Sequence, residues 1–131
     1  MQSSQRRRSY QYSVPLEAPT IAAVIGRPWS ADVSLPVDLL VDTGATMTGT
    51  PLIVLRQLGL LPLWWDVFSD FNGTETRVPV FAVDLDVVGV DAFGGMPVIG
   101  IQSGLGFVGR DILNGLLATL DGPARMCTLQ S

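Results

Sequence analysis

The plainest pattern in this chain is a run of alternation. Phe81, Val83, Leu85 and Val87 are apolar, and Ala82, Asp84 and Asp86 stand between them. Successive side chains of a strand point to opposite faces, so the run predicts a strand with one dry face and one wet. It continues the second arm of a predicted hairpin. Residues 67–71 and 74–80 flank Asn72-Gly73, the dipeptide best suited to a two-residue turn with positive φ at both positions. Pro79 cannot donate to a ladder, which predicts an edge or a bend in that arm.

The remaining elements are shorter. Residues 10–16 and 21–25 read as strands separated by the turn Glu17-Ala18-Pro19, and 26–34 as a loop. Residues 35–41 are a mostly apolar run, a buried strand ending at Asp42. Thr50 and Pro51 look like a helix start, with threonine at the cap and proline at the first helical position. Leu52, Leu55 and Leu58 then give that short helix an apolar face, and Gly59 stops it. Residues 96–101 predict a strand, and 107–109 lead into one helical turn over 110–114. The strands 116–120 and 124–129 form a last hairpin around Asp121-Gly122-Pro123. The glycines between 91 and 105 allow several strand registers. The organisation expected is a basic, disordered tail over residues 1–9 and one all-β domain over 10–131, with one or two short helices.

Composition supports a packed domain. Hydrophobic residues make up 47% and charged ones 15%, the reverse of a disordered chain. Nine prolines and fourteen glycines are the texture of many short strands and turns. All eight basic residues are arginine and the net charge is −4. Arg6, Arg7 and Arg8 cluster, but no basic or aromatic stripe continues them. A solvated tail is expected, with no role for nucleic acid. The chain has no histidine, which excludes histidine triads, Cys–His dyads and His-rich metal sites. Neither a metal nor a cofactor is expected. Its single cysteine, Cys127, reads as a core or edge thiol and makes no internal disulfide. Pro15, Glu17 and Pro19 interrupt what could pass for a signal peptide, and the apolar stretch 21–25 is too short to span a bilayer. A cytoplasmic protein with no membrane association is the default expectation. Trp29, Trp64 and Trp65 are expected to fill a core or an interface, with pocket lining as the alternative.

Candidate chemistry centres on Asp42-Thr43-Gly44-Ala45. A carboxylate directly after a strand built for burial needs hydrogen bonds, a partner charge or a proton. Thr43 offers a hydroxyl, and Gly44 allows close approach of another group. An ordinary β-turn uses the same residue types, so the triplet alone leaves a structural turn open. The glycines from Gly94 to Gly106 do not form a phosphate loop, because no Gly-Lys-Ser/Thr follows.

The wider context resembles the retropepsin family of aspartic peptidases, in particular its small non-viral members. The family pattern of two apolar residues before Asp-Thr-Gly-Ala is matched by Leu40-Val41 and Asp42 to Ala45. A second family pattern is matched by Phe107-Val108-Gly109-Arg110-Asp111-Ile112-Leu113, and the predicted hairpin lies between the two, where the family has its flap. The resemblance spans roughly residues 35–130. It implies a closed, retropepsin-like β-barrel that acts as a two-fold homodimer and hydrolyses polypeptide. Asp42 would be the catalytic acid, Thr43 would bond to the opposite subunit's loop, and the carbonyl of Gly44 would bind substrate backbone. Ala45 completes the active-site loop. Phe107, Val108 and Gly109 would pack around that loop, and Arg110 would anchor the short helix. Phe71, Asn72 and Gly73 would close over a bound peptide. Viral members often carry acidic residues where Thr46 and Met47 stand here, which leaves the partner of Arg110 open.

Such hydrolysis needs two carboxylates beside one water. Only Asp42 has the Thr-Gly context: Asp111 follows an arginine, Asp121 sits in a turn, and Asp84 and Asp86 lie on the polar side of a strand. The second carboxylate is therefore expected from a second copy, with the terminal strands as the contact. Two alternatives remain: a retropepsin-like domain used only for dimerisation or peptide binding, and an unrelated small β-barrel that binds a ligand.

Overall fold

The computed structural model describes residues 6–131 except 15, 31, 70 and 71. Among these residues ten strands and two short helices follow in the order β1 (Arg7–Gln11), β2 (Thr20–Gly26), β3 (Ser34–Val41), β4 (Gly49–Pro51), α1 (Leu52–Gln57), β5 (Trp64–Ser69), β6 (Glu75–Val87), β7 (Asp91–Ile101), β8 (Gly106–Val108), α2 (Arg110–Leu113), β9 (Leu117–Asp121) and β10 (Met126–Gln130). The all-β expectation with two short helices holds.

Six strands close into a barrel in the order β2-β3-β8-β4-β7-β6, and the β2–β6 pairing shuts the ring. β5 hangs on β6 outside it. The alternation over 81–87 holds: Phe81, Val83, Leu85 and Val87 are all buried on one face of β6. They meet Ile21 and Ile25 of β2, Leu39 of β3 and Val108 of β8 in one apolar core. Pro79 lies where β6 pairs with β5 alone, one residue before its ladder to β7 begins at Val80. A residue without an N–H is tolerated beside a free flank. Where β7 passes Asp84 it carries one extra residue, with Gly95 at φ +60. The Asp84 carboxylate accepts the N–H groups of Gly95 and Trp29, both at 2.8 Å, and so settles the register of this glycine-rich stretch.

A second, three-stranded sheet has the order β1-β10-β9. Its first strand corrects two expectations. Arg7, Arg8 and Ser9 belong to β1, paired with residues 128–130 of β10, and are not a disordered tail. The strand expected over 10–16 stops at Gln11. Residues 1–5 lie outside the described residues. The pairing is decided by β10, far away in sequence, and a local reading has no access to that partner. Cys127 and Leu129 of β10 and Tyr10 of β1 join the core. Burial pushes the Cys127 thiol up from its ordinary range, which makes it a core thiol and not a nucleophile.

Two local expectations also change. Thr50 does not cap α1. It lies in β4, fully buried, and among the described residues its hydroxyl has no hydrogen-bond partner. β4 runs parallel to β7 through Pro51, and this ladder extends the strand past the expected cap. Thr50→Val should therefore stabilise the fold by about 1 kcal/mol, because it removes an unpaired buried hydroxyl at nearly constant shape. A chemical denaturation midpoint that falls would contradict this. At the hairpin, Ser69 pairs with Glu75, one residue out of the register that a regular two-residue turn at Asn72-Gly73 would set. Gly73 has φ +77, a left-handed position that suits glycine.

The tryptophans are not core residues: Trp29 is 84% exposed, and Trp64 and Trp65 are about half exposed. Among the described residues no helix is long and apolar enough to cross a membrane.

Candidate active site

Asp42 follows β3 directly, and its position is set by the strand beside it. β3 and β8 run parallel, with Leu40 opposite Phe107 and Val41 opposite Val108. The Asp42 N–H continues that ladder by donating to the Val108 carbonyl at 3.0 Å. β8 can lie this close because glycines remove the obstacles. A Cβ on Gly106 would stand 2.6 Å from the Gly49 carbonyl oxygen, and one on Gly49 would stand 2.5 Å from the Phe107 ring.

Beyond Asp42 the chain turns at once. Ala45 N–H donates to the Asp42 carbonyl, and Gly44 N–H donates to the Asp42 carboxylate oxygen Oδ1 at 3.0 Å. Asp42 is half-buried, Thr43 and Gly44 are exposed, and Ala45 is half-buried. Among the described residues the second carboxylate oxygen, Oδ2, takes no hydrogen bond. One oxygen is thus held by the loop's own backbone while the other stays open to a water or a substrate.

The loop is clamped from below by α2. A helix this short leaves its first N–H groups without internal partners. Here the Arg110 and Asp111 N–H groups donate to the carbonyls of Ala45 (2.8 Å) and Thr46 (3.2 Å). The Arg110 side chain reaches back over the loop, giving one N–H to the Thr43 carbonyl at 2.9 Å and another to the Thr46 hydroxyl at 3.2 Å. A carbonyl and a hydroxyl therefore serve where an acidic partner was in question. Gly109 makes the approach possible, since a Cβ there would sit 2.7–2.9 Å from backbone atoms of Met47 and Ala45.

One member of this network, Thr48, escaped the sequence reading; Asp111 stands in the second matched pattern, but Thr48 was not foreseen as its partner. Thr48 is fully buried. Its hydroxyl donates to Asp111 Oδ1 at 2.8 Å and accepts the Gly109 N–H at 3.1 Å, while its own N–H donates to Asp111 Oδ2 at 3.0 Å. Asp111 also accepts the Ile112 N–H at 3.0 Å. The spacing of Thr48 six residues after Asp42 carries no signal by itself; its role exists only once α2 folds back onto the loop.

The structure thus brings Asp42, Thr43, Gly44 and Ala45 together with Phe107, Val108, Gly109 and Arg110. Of the hairpin-tip residues, Phe71 lies outside the described residues, and Asn72 and Gly73 stand at the end of the β5–β6 arm. Among the described residues no atom lies within 4 Å of where a Cβ on Gly73 would stand.

No protein-family model and no curated protein matches the sequence. The fold does have a counterpart. Over 99% of this chain and 96% of the other, it is similar to the crystal structure of a retropepsin-like aspartic protease from Rickettsia conorii, with a TM-score of 0.62 and 12% identity. At that identity the likeness speaks for architecture, and the chain accordingly has a retropepsin-like all-β fold.

Proposed function

We propose that this chain is one subunit of a homodimeric aspartic endopeptidase of the retropepsin family, acting on polypeptide. The observation that supports the reading most is the Asp42 carboxylate itself, half-buried at a strand end, braced through Oδ1 by Gly44 N–H and open at Oδ2. Asp42 of each subunit would flank one water. One carboxylate takes the water's proton as the oxygen attacks the scissile carbonyl, and the other, protonated, donates to the carbonyl oxygen. Two like charges so close share one proton, for which aspartic proteases are the type example. The exposed Thr43 would bond to the partner's loop, and Gly44 would receive substrate backbone on its carbonyl. Phe107, Val108, Gly109 and Arg110 hold the loop in shape, and the tip with Phe71, Asn72 and Gly73 closes over the peptide. A buried free thiol suits a reducing compartment, and the cytoplasm is the proposed location.

The dimer contact is proposed at β9. Among the described residues both β1 and β9 are edges of the three-stranded sheet, but they differ in what they present. β1 carries Arg7 and Arg8, and charge on an edge opposes pairing with a copy of itself. All five residues of β9 are exposed, including Leu117 at 62% and Leu120 at 53%. An apolar unpaired edge invites a second β9 across a two-fold axis. Leu117→Glu/Leu120→Glu should convert a dimer to a monomer in sedimentation velocity with the circular dichroism unchanged; a variant that stays dimeric would move the contact elsewhere.

The function itself is tested by hydrolysis of a peptide library at mildly acidic pH. The rate per subunit should fall on dilution as dimers dissociate. No cleavage at any concentration, or a rate per subunit that dilution leaves constant while sedimentation shows monomers, overturns the proposal.

A further inference from the structure

A groove of about 560 Å³ opens between α1, the β5–β6 arm and the end of β7, and none of Asp42–Met47 lines it. Its floor is built by close packing: Leu52 and Phe81 cover Gly100, where a Cβ would stand 2.5 Å from one and 2.8 Å from the other. Leu60 and Trp65 add apolar wall. The volume falls in the range of small-molecule sites, which are apolar concavities with a few placed polar groups.

The charged groups are what set this groove apart. Acidic residues outnumber basic ones twelve to eight in the chain, yet among the described residues the lining contains two arginines, Arg56 and Arg77, and no carboxylate. The Arg77 guanidinium stacks over the Trp65 ring at 5.6 Å, which orients its remaining N–H groups in advance. Neither arginine is in an ion pair among the described residues. A guanidinium without a carboxylate beside an apolar wall matches a ligand that carries the missing anion.

We infer that this groove binds a small amphiphile with an extended apolar body and one anionic head, of the class of medium-chain carboxylates. The body lies on Leu52, Leu60 and Phe81, and the head meets Arg56 and Arg77. The site is separate from the Asp42 loop, and its occupancy does not depend on peptide hydrolysis.

The test is titration calorimetry with dodecanoate, dodecanol and dodecyltrimethylammonium, all below their micellar concentrations. Wild-type protein should bind dodecanoate at one saturable site, with dodecanol and dodecyltrimethylammonium each at least about tenfold weaker, as the loss of charge-assisted hydrogen bonds implies. Arg56→Gln/Arg77→Gln should weaken dodecanoate about tenfold or more and leave dodecanol unchanged. Gln102→Trp, a substitution at an exposed lining residue two positions from Gly100, keeps both arginines but fills the groove, and should weaken dodecanoate and dodecanol alike. If the arginine variant does not fold, the comparison of head groups on wild type and the Gln102→Trp result decide. Equal affinity for all three head groups, no saturable binding, or wild-type affinity in Gln102→Trp overturns the inference. A dimer that dodecanoate splits into monomers would make the groove a subunit contact and overturn it as well.

Discussion

Asp42→Asn should lower the peptide hydrolysis rate by a factor of about 10²–10⁴ or more while leaving the protein folded and associated. Asparagine retains an Oδ1 acceptor, so the Gly44 N–H bond of 3.0 Å can persist. The main-chain bonds of residue 42 to Val108 and Ala45 do not involve the side chain at all. What disappears is a group that can alternate between accepting and donating a proton, and in a two-fold dimer it disappears from both sides at once. Initial rates on a cleaved library peptide, together with circular dichroism and sedimentation, separate the two effects. Activity within tenfold of wild type would show that Asp42 is a structural turn residue and that any hydrolysis arises elsewhere. The rival reading, a retropepsin-like domain used only for binding, expects this substitution to change nothing.

Thr48→Val should destabilise the fold by about 2–3 kcal/mol. The hydroxyl serves two partners, accepting from Gly109 N–H and donating to Asp111 Oδ1. Valine occupies the same volume but leaves the buried Gly109 N–H without its acceptor, and the penalty of such an orphan exceeds the net worth of the bond. The Asp111 carboxylate retains the main-chain N–H groups of Thr48 and Ile112, which limits the loss. Because this network fixes α2 under the Asp42 loop, peptide turnover should fall together with stability. Thr48→Ser keeps the hydroxyl and should restore most of both. Urea denaturation of the three proteins reads the effect directly, and a valine variant as stable as wild type would remove Thr48 from the support of the site.

Some of this was legible from local chemistry. Strand alternation over Phe81–Val87 and the leucine face of α1 depend on neighbours a few residues away, and they appear in the structure as expected; the last hairpin forms too, with Asp121 paired to Met126 and its turn moved to residues 122–125. The Asp42 and Arg110 segments were recognisable as a pair, and β3 and β8 do lie side by side. Other features had no local signature. Thr50 and Pro51 make a plausible helix start until β7 claims them for a parallel ladder. Asn72-Gly73 favours a regular two-residue turn, yet the pairing of Ser69 with Glu75 sets a register one residue away from it. The glycines of β7 admit several registers, and the Asp84 carboxylate, gripping Gly95 and the Trp29 backbone, selects one.

By itself, then, the order of residues determined which segments become strands, which residue types can carry chemistry, and that one chain holds a single Asp-Thr-Gly turn. Those properties follow from side-chain period, backbone preference and the inventory of functional groups, all of which are local. Tertiary structure alone decided that Arg7–Gln11 is a strand, that Thr48 and Asp111 join the support of the loop, and that Arg110 finds a carbonyl and a hydroxyl instead of an acid. Each of these is a hydrogen bond between groups more than sixty residues apart. Its partner is selected by how the barrel closes, and no window along the chain contains both ends.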